Sequence, residues 1–223
     1  MDILSNMHTK GAVIWFLPFY LCTFLLFNAC SESDDDTLEE YSNWQQKNES
    51  FFMSLEDSLT QGNGSWSKWK SYTKSEKVVG SNTEYVYAKL ISKGDGSVSP
   101  LYTDTVRVAY RGRLLPSTSY KEGYVFDETF TGNFSLETTD VYDNAVKEFV
   151  DGFGTALQHM VIGDRYRVYV PYTLGYGSTA TTAVPAYSVL IFDLILLDIA
   201  TNSGELVPWS VRTLSTAIEG KGW

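Results

Sequence analysis

Six short motifs between Val108 and Asp193 constrain this chain more than anything else in it. Each sets an aromatic or branched residue beside a glycine, a proline or a carboxylate. In order they are Val108-Ala-Tyr-Arg-Gly112, Val125-Phe-Asp-Glu-Thr129, Phe149-Val-Asp-Gly-Phe153, Met160-Val-Ile-Gly-Asp164, Val170-Pro-Tyr-Thr-Leu-Gly-Tyr-Gly177 and Val184-Pro-Ala-Tyr-Ser-Val-Leu-Ile-Phe-Asp193. Any one is common, whereas all of them in this order, ending in the apolar run Val189–Ile199, are specific. The residues around them read as strands. Val106, Val108 and Tyr110 fall on one face, with Arg107, Arg111 and Arg113 on the other. Arg165, Arg167 and Tyr169 alternate with Tyr166, Val168 and Val170 in the same way, and Val189–Leu197 is nearly all apolar, as a central strand is. Phe153, Leu157 and Met160 share one face of a short helix able to lie across such a sheet. The expected class is α+β, a twisted antiparallel sheet wrapped around a short helix.

These motifs resemble the FKBP-type peptidyl-prolyl cis-trans isomerases over roughly the last half of the chain. The resemblance implies a proline-binding pocket lined by Tyr110, Phe126, Asp127, Phe134, Phe149, Val150, Phe153, Tyr176, Val184 and Phe192. In it Phe126, Phe153 and Phe192 would hold the prolyl ring, and the Val150 amide and the Tyr176 hydroxyl would each hold a substrate carbonyl. Tyr110, Phe126, Asp127, Tyr176 and Phe192 would carry catalysis. For any one of these aromatics taken alone, core packing is the ordinary role. This sequence departs from the family at the pocket floor, where Phe153 replaces the usual tryptophan. The segments Leu115–Tyr124 and Thr138–Glu148 are longer than usual, and Ser178–Ala183 is slightly shorter. All three rim the pocket, so they bear on substrate preference and macrolide affinity. The implied reaction needs no nucleophile, metal or organic cofactor, and its partners are proline-containing polypeptides.

Composition agrees by exclusion. The net charge of −10 argues against nucleic acid, which demands basic stripes. Both cysteines, Cys22 and Cys30, precede the body, so no disulfide framework holds it together. With His159 as its one histidine, the body cannot supply a histidine-based triad or a typical zinc site. A chain of 223 residues suits one sizeable domain with an extension, here expected to be a monomer.

The N-terminus reads as an export segment. Lys10 precedes the uncharged apolar run Gly11–Phe27, followed by Asn28-Ala-Cys30. A small residue directly before a cysteine resembles a bacterial lipobox, although Phe27 and Asn28 fit that pattern imperfectly. Cleavage would then follow residue 29, and the Cys30 thiol would carry the lipid. An uncleaved anchor helix is the alternative, because 17 residues sit at the short edge of a membrane span. The acidic run Ser31–Asp36 reads as a solvated tether and resembles the export signals of Bacteroidetes surface lipoproteins. The expected location is therefore the bacterial envelope, as an outer-membrane lipoprotein facing the periplasm or the surface.

Between tether and pocket, Thr37-Leu-Glu-Glu40 has the form of a capping box, and Tyr41, Trp44, Phe51, Phe52, Leu55 and Leu59 have helical spacing to about Thr60. The resulting division is a signal at 1–29, a tether at 30–36, a helical extension at 37–81, the isomerase domain at 82–200 and a tail at 201–223. Two other classes stay open: a non-catalytic peptide-binding module on the same fold, and a carbohydrate-binding surface lipoprotein built on Trp44, Trp66 and Trp69. The last requires those tryptophans to be exposed.

Overall fold

The computed structural model describes residues 40–75, 80–135, 138–200 and Leu206. The expected signal segment and acidic tether lie outside these residues, as does the tail apart from Leu206. Helix α1 (Trp44–Gln61) precedes strands β1 (Trp66–Lys70), β2 (Tyr85–Ser92), β3 (Thr105–Arg113), β4 (Val125–Glu128) and β5 (Tyr142–Ala145). Helix α2 (Asp151–Leu157) then leads to β6 (Arg165–Val170) and β7 (Leu190–Ala200). The strands form one antiparallel seven-stranded sheet in the order β1-β2-β6-β7-β3-β4. Strand β5 shares the outer edge of β3 with β4, pairing with Thr105–Val108 while β4 pairs with Arg111–Arg113. The α+β class is as the pattern implied.

Period-two alternation divides the side chains between two faces. Val106, Val108, Tyr110, Tyr166, Val168, Phe192, Leu194 and Leu196 pack with Phe153, Ala156 and Leu157 of α2 to make the main core. Each such fully buried apolar side chain contributes about 1.5–3 kcal/mol. The opposite face is covered in three patches. Phe52 and Leu55 of α1 lie against Tyr87 and Val189. Phe130 and Phe134 cover Ala109, Ile195 and Leu197. Between them the buried Asp193 carboxylate accepts from Arg113 at 2.7 Å and from Arg167 at 2.6 Å.

Helix α1 buries Trp44, Asn48, Phe52 and Leu55, a stripe of helical period. Its last turn ends at Gly62, where a Cβ would stand 2.2 Å from the Trp66 ring, so only glycine lets the chain double back into β1. Thr37, which opens the expected capping box, lies outside the described residues. The Glu40 carboxylate accepts from the Ser119 amide (2.9 Å) and the Ser119 hydroxyl (2.8 Å).

The extension is also more than a helix. Trp66–Lys70 pairs along Tyr85–Lys89 and lengthens the sheet by a strand. Trp66 and Trp69 stand three residues apart, hence on opposite faces. Trp66 stacks on Tyr169 at 5.4 Å, and Trp69 stacks on His159 at 4.7 Å. Trp44 is buried, with its indole N–H donating to Ser188 Oγ at 2.8 Å. None of the three offers the open platform a carbohydrate would need.

His159 lies between Trp69 and Tyr72, and its Nδ1 sits 2.9 Å from the Thr155 carbonyl. Burial lowers its pKa below the ordinary histidine value, although the Thr155 contact opposes this. The unfolded chain takes up a proton near pH 6.5 while the folded chain resists it, so this contribution is complete above that pH. It is lost as pH falls from there toward the lower folded value. Between about pH 7.5 and about pH 5.5, the thermal midpoint should fall further for the wild type than for His159→Phe, which keeps the stack and cannot titrate. Equal falls would contradict this.

Candidate active site

On the α2 side of the sheet, an open cleft of about 260 Å³ has a floor of aromatic rings and a polar rim. Phe153, the single aromatic of α2, stands nearly perpendicular to Phe192 of β7, with ring centroids 4.9 Å apart. Phe126 of β4 meets Phe192 edge-on at 5.6 Å, and Phe149 stacks on Phe153 at 4.6 Å. These edge-to-face and offset contacts are favourable beyond the area they bury. The arrangement needs Gly112. On β3 it lies directly opposite Phe192, and a Cβ there would come within 2.6 Å of Phe126 and 2.9 Å of Phe192.

The rim is set by a break in the β3–β4 ladder. Gly112 pairs with Asp127 and Arg113 with Val125, which leaves Phe126 as the extra residue of a bulge. In a regular strand, consecutive side chains face opposite sides; here Phe126 and Asp127 both line the cleft. Asp127 Oδ2 accepts from the Tyr110 hydroxyl at 2.6 Å. Burial, and then that bond, push the Tyr110 hydroxyl above its ordinary range, so it remains a protonated donor. Burial and the nearby Asp127 charge push Tyr176 up as well. Tyr176 follows the short turn Tyr172–Leu174 and is 44% exposed at the mouth, its ring 6.5 Å from Phe126. Val150 stands extended, at φ −57 and ψ 146, immediately before α2.

Eight of the residues expected from sequence therefore converge: Tyr110, Phe126, Asp127, Phe149, Val150, Phe153, Tyr176 and Phe192. Two do not. Phe134 packs on the far face of the sheet with Phe130 and Ala109, beneath the Arg165 guanidinium at 5.5 Å. Val184 is buried in the main core and is not among the residues lining the cleft. Three lining residues were not anticipated: Tyr142, Asn144 and Glu148. Tyr142 comes in through the pairing of β5 with β3, and its ring meets Phe149 edge-on at 5.9 Å. A four-residue strand reading Tyr-Asp-Asn-Ala carries no apolar alternation that could have revealed it.

A second cavity of about 190 Å³ lies under α1, between Phe52, Met53, Pro171, Tyr172 and Val189. It is nearly all apolar. Its buried polar side chain, Asn48, already donates to the Trp44 carbonyl and accepts from the Val189 amide. Convergent polar groups distinguish the aromatic cleft as the functional candidate.

Comparison with known proteins agrees with this geometry. Residues 96–197 match the family described as FKBP-type peptidyl-prolyl cis-trans isomerase. Over that segment the chain is similar to this family. It is 36% identical over 110 residues to the macrophage infectivity potentiator of Trypanosoma cruzi, covering 49% of this chain and 50% of that protein. It is 31% identical over 112 residues to the FKBP-type 22 kDa peptidyl-prolyl cis-trans isomerase of Escherichia coli, covering 50% and 48%. The chain thus spans about half the length of these curated relatives. The fold is similar to that of a peptidyl-prolyl cis-trans isomerase from Pseudomonas syringae pv. tomato, with a TM-score of 0.50 at 20% identity over 71% of this chain and 96% of that one. The matched FKBP-type segment contains all eight converging cleft residues, whereas α1, β1 and β2 precede it.

Gly112→Ala should force Phe126 and Phe192 apart. The expected loss is about 1–3 kcal/mol in chemical denaturation, the usual range for overpacking, together with weaker binding of a Xaa-Pro peptide. A variant with wild-type stability would show that the rings yield freely.

Proposed function

We propose that this protein is a peptidyl-prolyl cis-trans isomerase acting on proline-containing polypeptides. The observation that carries the reading is the aromatic cleft framed by Phe126, Phe153 and Phe192, with the Tyr110–Asp127 bond on its rim. A prolyl ring is a compact apolar body, and those rings are the surface it would fill. The Tyr176 hydroxyl and the Val150 amide hold the flanking carbonyls.

Rotation about an Xaa-Pro bond is slow because it breaks amide resonance, against a barrier of about 18–20 kcal/mol. No covalent intermediate is needed. Turnover follows if the cleft binds the twisted amide better than either planar isomer. Twisting removes charge separation from the amide, so an apolar floor disfavours the planar state more than the twisted one. The rim donors meanwhile fix the chain on either side of the rotating bond.

The experiment is a protease-coupled or NMR-exchange assay on the chain lacking residues 1–30. The wild type should accelerate exchange of several Xaa-Pro peptides. Asp127→Ala and Tyr176→Phe should each lower kcat/KM by about tenfold, one hydrogen bond's worth, with stability losses near 1 kcal/mol. Phe192→Ala should harm both properties, since truncating a buried phenylalanine costs about 3–5 kcal/mol. A well-folded wild type without acceleration on any peptide would leave a peptide-binding module in place of an enzyme.

The same proposal places the protein in the bacterial envelope, anchored through a lipid on Cys30 and assisting the folding of exported proteins. Its support is the uncharged run Gly11–Phe27 ending in Ala29-Cys30. These residues lie outside the described ones, and no helix among the described residues is long and apolar enough to cross a membrane. Several acyl chains on one cysteine give a stable anchor where one chain does not. Cys30→Ser should move the protein out of the membrane fraction; a variant that stays membrane-bound with residues 1–29 intact would mean an ordinary anchor helix.

A further inference from the structure

We propose that α1, which precedes the matched FKBP-type segment, is a latch that positions the cleft rim, with Trp44 and Asn48 as its positioning residues. The contacts lie at the N-terminal end of one helical stripe. Trp44 Nε1 donates to Ser188 Oγ at 2.8 Å, and that hydroxyl donates to the Pro185 carbonyl at 2.7 Å. Asn48, fully buried, accepts from the Val189 amide at 2.7 Å and donates back to the Trp44 carbonyl at 2.7 Å. These bonds fix the C-terminal end of the segment that starts at Tyr176.

The fixation reaches Tyr176 by a short route. The Tyr187 amide donates to the Gly177 carbonyl at 3.0 Å, so the two ends of the 177–187 loop are tied beside Tyr176. Tyr187 itself is held at φ 60, a left-handed conformation costly for a bulky non-glycine residue. Such a residue persists where its surroundings over-determine it. Here they do: Gly177 on one side, Ser188 and Val189 held by α1 on the other, and the Tyr172 ring 5.2 Å away.

The same helix end reaches the second rim. Lys47 donates to the Pro116 carbonyl, and Glu40 accepts from the Ser119 amide and hydroxyl. Pro116 and Ser119 belong to the loop that leads into β4, which carries Phe126 and Asp127. One helix thus grips both segments whose rings, Phe126 and Tyr176, face each other across the mouth at 6.5 Å.

The kinetic arm of the test rests on the isomerase reading; the exchange arm does not. Trp44→Phe keeps an aromatic ring but loses the indole N–H together with part of the ring's volume, whereas Ser188→Ala removes the partner hydroxyl without touching Trp44, so the latch can be opened without Asn48→Ala, which could fail to fold. In either variant the Tyr187 amide should exchange with solvent at least tenfold faster, while the Val168 and Leu194 amides of the central strands keep wild-type rates. Turnover, measured well below the unfolding midpoint, should fall several-fold. In a Tyr176→Phe background, Trp44→Phe should add little to the loss, because both changes act through the same hydroxyl. Unchanged Tyr187 exchange in both variants would overturn the proposal, as would a Trp44→Phe loss that is fully additive with Tyr176→Phe. A wild type without turnover would remove the isomerase reading, and the exchange rates alone would then decide the latch.

Discussion

The register of β7 between β3 and β6 is the constraint on which both faces of the molecule depend. Phe192 lies opposite Gly112 on one side and Val168 on the other, and it faces α2. Asp193 lies opposite Arg111 and Arg167 and faces away, between Arg113 and Arg167. A slip of one residue would exchange these roles. A carboxylate would enter the aromatic floor without a partner, and a phenylalanine would displace the only counter-charge the described structure gives Arg113. Burying an unpaired charge is far more costly than exposing an apolar ring, so the arginines on the outer face enforce the placement of the ring on the inner one. A group remote from the cleft thereby keeps the cleft in register.

The cleft itself depends on two local exceptions to regular strand geometry. Gly112 omits a side chain where two rings must approach, and the bulge at Phe126 turns two consecutive residues to one side. Together they set an apolar floor directly beside the polar Tyr110–Asp127 pair. In the proposed reaction, this adjacency separates the surface that receives the ring from the groups that hold the peptide.

Most of the fold was legible because its strands carry strong alternation. Val106–Tyr110, Tyr166–Val170 and the apolar run of β7 each announce a buried face, and Phe153 and Leu157 announce the helix that covers it. What escaped notice lacked a periodic signal. Strand β1 is five residues with a tryptophan on each face, and β5 is four residues of mostly polar character. Both exist because a neighbouring edge pairs with them, a tertiary cause that no local pattern records. The site divides along the same line. The eight converging residues stand on elements fixed by the core or directly next to them. Phe134 and Val184 stand on long connections, where spacing along the chain does not set direction in space. Phe134 went to the far face because Ala109 and Ile195 leave an apolar patch there that only a connecting segment can cover.

The N-terminal extension changes what counts as the domain. By sequence similarity the FKBP-type segment begins at residue 96, yet β1 and β2 complete one side of the sheet and α1 buries Trp44, Asn48, Phe52 and Leu55 against it. Asn48 is the informative member. A buried amide is destabilising unless its groups are satisfied, and an apolar residue would have filled the same stripe more simply. Its two bonds reach the Trp44 carbonyl and the Val189 amide, the residue just before β7 begins. That point joins the strand carrying Phe192 to the loop returning from Tyr176. A polar side chain fixes both distance and direction at such a joint, where a leucine would fix only contact. The extension is therefore continuous with the site: its Trp44 shares the main core with Phe153 and Phe192, and its Asn48 is bonded to the residue that leads into the strand carrying Phe192.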